Sequence, residues 1–343
     1  MLRSVRRQIA MFALVVGFTL AGALGASAHV KWFFAFDVAG QPRGLENVLC
    51  PDFESLVALA ITVLSFGCLV EATSFGAMLL KALDRITAFP RDRIEILIRI
   101  VCAAFFVELW LIGGILLTPE LKTSSPLIPW LQLAIALGMS SRRTMAFSAA
   151  GICALFALSI TQYGIFHLLD YPVFLGLAGY LWLTSSQRTV FGWRPVDIVR
   201  VSAAVTLMWA SVEKWAYPEW SFPLFIVHPK MAMGFDQEYF MRAAGVVEFV
   251  LAFALAWSPL VRRAAATILL GMFIGAIAEF GKIDAIGHAP IIVVLLAVVC
   301  DNAKQEVRVR NIALAPAIFV SNLVGFLLLY YELHKILFGT SFM

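Results

Sequence analysis

The chain has 343 residues, of which 61% are hydrophobic and 14% charged, more apolar surface than a water-soluble core can bury. A net charge of +4 in such a chain reports loop orientation rather than an anionic partner, which leaves no case for nucleic acid. The composition is that of an all-α, polytopic helix bundle in a lipid bilayer, since no segment alternates as barrel strands do.

In chain order, Arg3, Arg6 and Arg7 precede an apolar run over 9–28 that ends in "ASAHVKWF". A basic start, an apolar run and small residues at Ala26 and Ala28 fit a signal-peptidase site after Ala28. The same run is long enough to stay as a first transmembrane helix. Cleavage would leave His29 with a free amine beside its imidazole, a pair able to chelate a metal.

Further bilayer-length segments fall at 54–80, 94–117, 127–140, 144–166, 168–186, 196–216, 239–257, 264–283, 287–300 and 312–335. With the first, this gives 10–11 transmembrane helices. Pro129 and Pro290, near the starts of two short segments, suit the first turn of a helix. Five cysteines (Cys50, Cys68, Cys102, Cys153 and Cys300) contain no C-x-x-C pair, and no disulfide framework is implied.

Threading these segments with the N-terminus inside places Lys81, Arg85, Arg91, Arg93, Arg142, Arg143, Arg188, Arg194, Arg262, Arg263, Lys304, Arg308 and Arg310 on the inner side. The outer loops keep only scattered Lys31, Arg43, Lys122 and Lys230. The positive-inside rule then puts the C-terminus outside, and the reading is a multi-pass protein of a bacterial inner membrane, C-terminus periplasmic.

An internal repeat runs through the middle. "RIVCAAFFVELWLIGG" from Arg99 matches "RVSAAVTLMWASVEKW" from Arg200, and "SSRRTMAFSAAG" ending at Gly151 matches "PLVRRAAATILLG" ending at Gly271. Charged residues at fixed offsets argue for two parallel four-helix units, at 94–190 and 191–301. Around them lie the leader or first helix at 1–28, an outer loop at 29–53, a helix with an inner loop at 54–93, and a last helix within 302–343.

Over roughly residues 195–300 the second unit resembles the DoxX family of small four-helix membrane proteins. The family's pattern of Arg, then Lys near the end of the first helix, then Gly-x-x-Glu opening a helix that ends in Arg falls on Arg200, Lys214, Gly245, Glu248 and Arg262. In the first unit the likeness fades, with Leu109 where the Lys would stand. The resemblance implies a membrane bundle, and some relatives serve quinone-linked oxidoreductases or partner redox proteins. It supplies no mechanism.

Ionisable residues inside spans need a partner or a watery cavity. Glu108, Glu213, Lys214, Glu248, Glu279, Lys282 and Asp284 lie in the middle or outer half of their segments and are the candidates for one outward-facing polar cavity. Glu279 and Lys282, and Glu238 and Arg242, are spaced to neutralise each other on a helical face. Glu71, Arg99 and Arg200 lie deeper toward the inner side.

All five histidines, His29, His167, His228, His288 and His334, fall on the outer side. Asp284 is four residues before His288 and can orient its ring. The loop "HPKMAMGF" brings His228 near Met231 and Met233, a ligand mix suited to copper. The metal candidates are thus His29, His167, His228, Met231, Met233 and His288, and the cofactor candidates are copper and a quinone. No Walker loop, G-x-S-x-G or i, i+4 His pair is present.

The leading reading is an accessory component of a redox or copper-handling system, with periplasmic redox or metal-carrier proteins as partners. Two alternatives stand beside it. One is a transporter for a small polar solute or metal ion, with Glu71, Arg99 and Arg200 as an inner gate. The other is a membrane scaffold without chemistry of its own. Nothing in the chain decides whether it is an enzyme.

Overall fold

The computed structural model describes residues 30–189, 192–302 and 309–340. The apolar run at 9–28, the cleavage site after Ala28 and His29 lie outside the described residues. The chain is an all-α polytopic membrane bundle. Its main helices are α1 (Pro51–Glu71), α2 (Ser74–Ile86), α3 (Ile94–Ile112), α4 (Leu127–Gly138), α5 (Met145–Leu168), α6 (Pro172–Ser186), α7 (Pro195–Ala216), α8 (Gln237–Leu255), α9 (Pro259–Phe280), α10 (Lys282–Cys300) and α11 (Val309–Phe338). Four of them begin on a proline, Pro51, Pro172, Pro195 and Pro259, whose missing N–H costs nothing in the first turn.

Helices α3 to α10 pack in sequence, each on the next, and α10 returns to α3 to close a ring. Helix α7 also meets α10 across the ring, while α1 and α11 lie together against α7, α8 and α9. One core joins Trp209, Phe249, Phe253, Phe319 and Tyr330, and a second joins Phe105, Phe106, Phe174 and Leu181.

Six helices, α1, α5, α7, α9, α10 and the stretch 313–338 of α11, are long and apolar enough to cross a bilayer. Two others, α3 and α8, have 19 residues each but carry Glu95, Arg99 and Glu108, and Glu238, Arg242 and Glu248. Each of these charges has an ion-pair partner, with Glu248 on Lys214 the most buried pair, so the helices need not be apolar throughout. The remaining ring members, α4 and α6, are short, at 12 and 15 residues, and pack between neighbours.

The expected segment at 54–80 is not one helix. Helix α1 ends at Glu71, and α2 starts after Thr73, whose side chain accepts from the Gly76 N–H at 3.2 Å. Gly76 fits because a Cβ there would overlap the Val70 carbonyl. Pro290 lies inside α10 rather than at its start, since the helix already begins at Lys282.

One end of the bundle is held by arginines. Arg263 reaches Asp84 Oδ1 at 2.6 Å and the Val299 carbonyl at 2.8 Å, and Arg91 donates to the Cys300 carbonyl at 3.0 Å. Asp301 pairs with Arg194 at 2.8 Å and Arg262 at 3.0 Å. Glu71 accepts from the backbone N–H of Leu260 at 2.9 Å and Val261 at 3.3 Å, and from the Ser258 hydroxyl. It therefore caps the N-terminus of α9, where the helix dipole favours a carboxylate. Arg99 and Arg200 each bind carbonyls at the end of a neighbouring helix. The three residues expected as a gate serve as helix caps.

Candidate ligand cavity at the strap end

At the opposite end, residues 30–43 cross the mouth of the bundle as a strap. Its base is clamped: the Arg43 N–H donates to the Ala216 carbonyl at 2.9 Å, Tyr217 Oη to the Gly40 carbonyl at 2.8 Å, and His334 Nε2 lies 2.9 Å from the Val38 carbonyl. Its tip starts with a single 3-10 turn, Val30–Trp32, and is held by side chains. Trp32 lies 4.5 Å from the His288 ring, Phe33 5.5 Å from Phe280, and Phe36 5.3 Å from His167 and 5.8 Å from Trp220.

Lys31 is 4% exposed. Its ammonium donates to Glu213 Oε1 at 2.6 Å and to Asp170 Oδ2, and it sits 5.5 Å from the Phe36 ring centre and 5.4 Å from that of Trp220. Burial alone would lower the pKa of this amine, but the two carboxylates outweigh it and raise the pKa above the ordinary lysine value. Asp170 keeps a second oxygen, Oδ1, without a hydrogen-bond partner.

Below the strap lies a cavity of about 70 Å³ whose lining includes Trp32, Asp170, Phe174, Lys214, Glu248, Phe273 and His288. That is room for a few waters. Lys214 and Glu248 pair across it at 2.9 Å. Asp284, fully buried, stands 3.0 Å from His288 Nδ1 at ion-pair distance but outside hydrogen-bond geometry.

A second pocket of about 310 Å³ flanks the strap, lined among others by Lys31, Trp32, Phe36, Glu120 and Lys122. Trp32 walls both spaces. Glu120 accepts from Thr118 Oγ1 at 2.9 Å and from the Tyr171 hydroxyl, and lies 3.9 Å from His167 Nε2. His167 reaches this place because Gly164, at φ 81 and ψ 158, breaks α5 one turn before its end.

The seven residues expected around one cavity are therefore divided. Lys214 and Glu248 line it, and Asp284 backs His288 on its wall. Glu213 turns to Lys31. Glu279 pairs with His228 at 2.7 Å and Lys282 with Glu108 at 3.0 Å. The expected Glu279–Lys282 pair does not form, because Gly281 at φ 73 ends α9 between them and destroys their common face. Glu238 and Arg242 do pair, at 2.9 Å.

The metal candidates also separate. His167 faces Glu120, His288 faces Asp284, and His228 takes Glu279. Met231 is buried in a cluster with Phe225 and Phe240, while Met233 is exposed. Among the described residues no three His, Cys, Asp or Glu side chains gather as a metal site. The sequence reading missed Lys31, Trp32 and Glu120. A charged residue inside the aromatic run "VKWFFAF" was the available signal.

Comparison of the chain with protein-family models, curated proteins and solved structures returns no match.

Proposed function

We propose that this chain is a bacterial inner-membrane protein with its strap end in the periplasm, acting as an accessory component of a redox system by binding a quinone headgroup beneath the strap. The observation that carries this reading is the convergence of Asp170, Lys214, Glu248 and His288 on one cavity walled by Trp32, Phe174 and Phe273. A quinone ring has apolar faces and carbonyl oxygens at opposite edges. Aromatic walls suit the faces, Lys214 and His288 can donate to the oxygens, and the carboxylates can exchange the two protons that accompany two-electron reduction of the quinone by the partner oxidoreductase, which would supply the electrons.

The cavity is smaller than a headgroup, and the flanking pocket that shares Trp32 would add the missing space once the strap tip moves. The DoxX-like pattern supports the same residues, since Lys214 and Glu248 are two of its five positions and meet at 2.9 Å. A third, Gly245, packs under Trp215, whose ring a Cβ would overlap.

Transport draws less support, because Glu71, Arg99 and Arg200 serve as caps at the arginine end. A scaffold alone leaves unexplained the buried polar atoms of Asp170, Asp284 and His288 that lack hydrogen bonds. The test is quinone extraction from protein purified in mild detergent, followed by titration with a short-chain quinone. Retained quinone, with binding weakened by Glu248→Gln, is the expected result. Absence of both retention and binding overturns the reading, and stoichiometric copper in the same sample would move it to metal handling.

A further inference from the structure

Asp170 and Glu213 hold a cation that is itself part of the chain, the Lys31 ammonium. Two carboxylates from different elements, the α5–α6 turn and α7, converge on one ammonium. Their side chains are 0% and 8% exposed. The rings of Phe36 and Trp220 stand about the same ammonium at 5.5 and 5.4 Å, the arrangement that attracts organic cations. One Lys charge faces two carboxylates, and Asp170 Oδ1 retains an unused lone-pair site while the residue is 2% exposed.

The strap that delivers Lys31 is built unequally. Its base at Val38, Gly40 and Arg43 is fixed by hydrogen bonds to α11 and to the end of α7. Its tip, residues 31–36, is held among the described residues by side chains: the two ion pairs of Lys31, ring contacts of Trp32, Phe33 and Phe36, and the packing of Phe34. Removing the tip would join the cavity below to the pocket beside it, because Trp32 walls both. It would also leave two buried carboxylates without a cation, a state too costly to persist unless another cation or a proton arrives.

We propose that Asp170 and Glu213 form a binding site for a primary ammonium group, that Lys31 is its tethered occupant, and that a free primary amine displaces the strap tip and opens the cavity. This stands on the strap's contacts and does not require that the cavity bind a quinone. The ligand class is a small alkylammonium. Its N–H groups can reach both carboxylates as Lys31 does, whereas a quaternary ammonium of similar size has no N–H to donate.

Chemical rescue tests the site. The Lys31→Ala variant, titrated with ethylammonium chloride, should regain thermal stability in a saturable way, with tetramethylammonium and sodium at equal ionic strength as controls. The regain should disappear when Asp170→Asn is added. A folded Lys31→Ala protein that ethylammonium does not stabilise beyond the sodium control overturns the proposal.

If Lys31→Ala does not fold, the wild-type latch is tested instead by placing Phe34→Cys, at a half-buried tip position packed against the Phe225 and Phe240 cluster, in a chain with Cys50→Ala and Cys153→Ala. Ethylammonium should then speed maleimide labelling of the strap by about tenfold over sodium, a shift of about 1.4 kcal/mol in the opening equilibrium. Equal rates in the two salts would mean that Lys31 is a fixed anchor, and the proposal fails. Neither readout involves quinone, so the two failures are distinguishable: loss of quinone binding leaves this site untouched, whereas a fixed Lys31 anchor would require the quinone headgroup to find its space without movement of the strap.

Discussion

Arg99 and Arg200 do the same work in different halves of the bundle. Arg99 Nε donates to the Met139 carbonyl at 2.7 Å, where α4 ends, and Arg200 Nη1 donates to the Leu255 carbonyl at 2.7 Å, where α8 ends. Each also pairs with a carboxylate one turn earlier on its own helix, Glu95 at 3.4 Å and Asp197 at 3.2 Å. A helix C-terminus leaves carbonyls without partners, and a guanidinium from the preceding helix satisfies them. Arg200→Met should therefore cost about 1.5–3 kcal/mol, the range for hydrogen bonds to charged groups, read as a loss of thermal stability in detergent. Quinone retention should survive in the fraction that folds, because Arg200 acts at the arginine end.

Lys214 and Glu248 should behave as a coupled pair. Their side chains are 14% and 11% exposed, so removing one charge strands the other in a poorly solvated place. Lys214→Met alone should cost about 3–5 kcal/mol. The double variant Lys214→Met with Glu248→Leu should recover most of that loss while abolishing ligand binding. A double-mutant cycle of melting temperatures checks the coupling, and additivity of the two singles would refute it.

The bundle itself was legible because hydropathy and loop charge are one-dimensional signals, and the correspondence of Arg99 with Arg200 was legible because it recurs. The site was less so. Lys31 meets Asp170 across 139 positions of sequence, a pairing that no local spacing encodes. Glu279 and Lys282 read as a helical pair only if the helix continues, and a single glycine at φ 73 between them looks like any other glycine in an apolar run. Gly164 hides in the same way, yet its non-helical turn aims His167 inward.

The Lys31 latch sets a pH expectation. Its pKa is raised above 10.5 in the folded chain, so its contribution to stability is fully present below the unfolded value and is lost only as pH rises through the higher folded value. Strap accessibility, followed by labelling of Phe34→Cys in the chain lacking Cys50 and Cys153, should therefore show no Lys31-driven opening between about pH 7 and 10 once rates are corrected for thiolate fraction. An opening step inside that window would show that titration of a group other than Lys31 releases the strap.

Gly287 supplies the sharpest test of where the strap lies. It sits on the first half of α10, directly beneath Trp32, and a Cβ there would overlap the far edge of the indole ring. The obstructing atoms belong to a side chain on a tip held by side chains rather than by backbone hydrogen bonds to a helix, so the strap should yield before α10 does. Gly287→Ala should lower stability by about 1–3 kcal/mol, as overpacking does, and should expose the strap to labelling. In a Trp32→Leu background, where the ring is gone, the same substitution should cost almost nothing, since an isolated Gly→Ala change within a helix is otherwise favourable. Equal costs in the two backgrounds would mean that the Trp32 ring does not rest on Gly287, and the partition between the two cavities would have to be assigned to another residue.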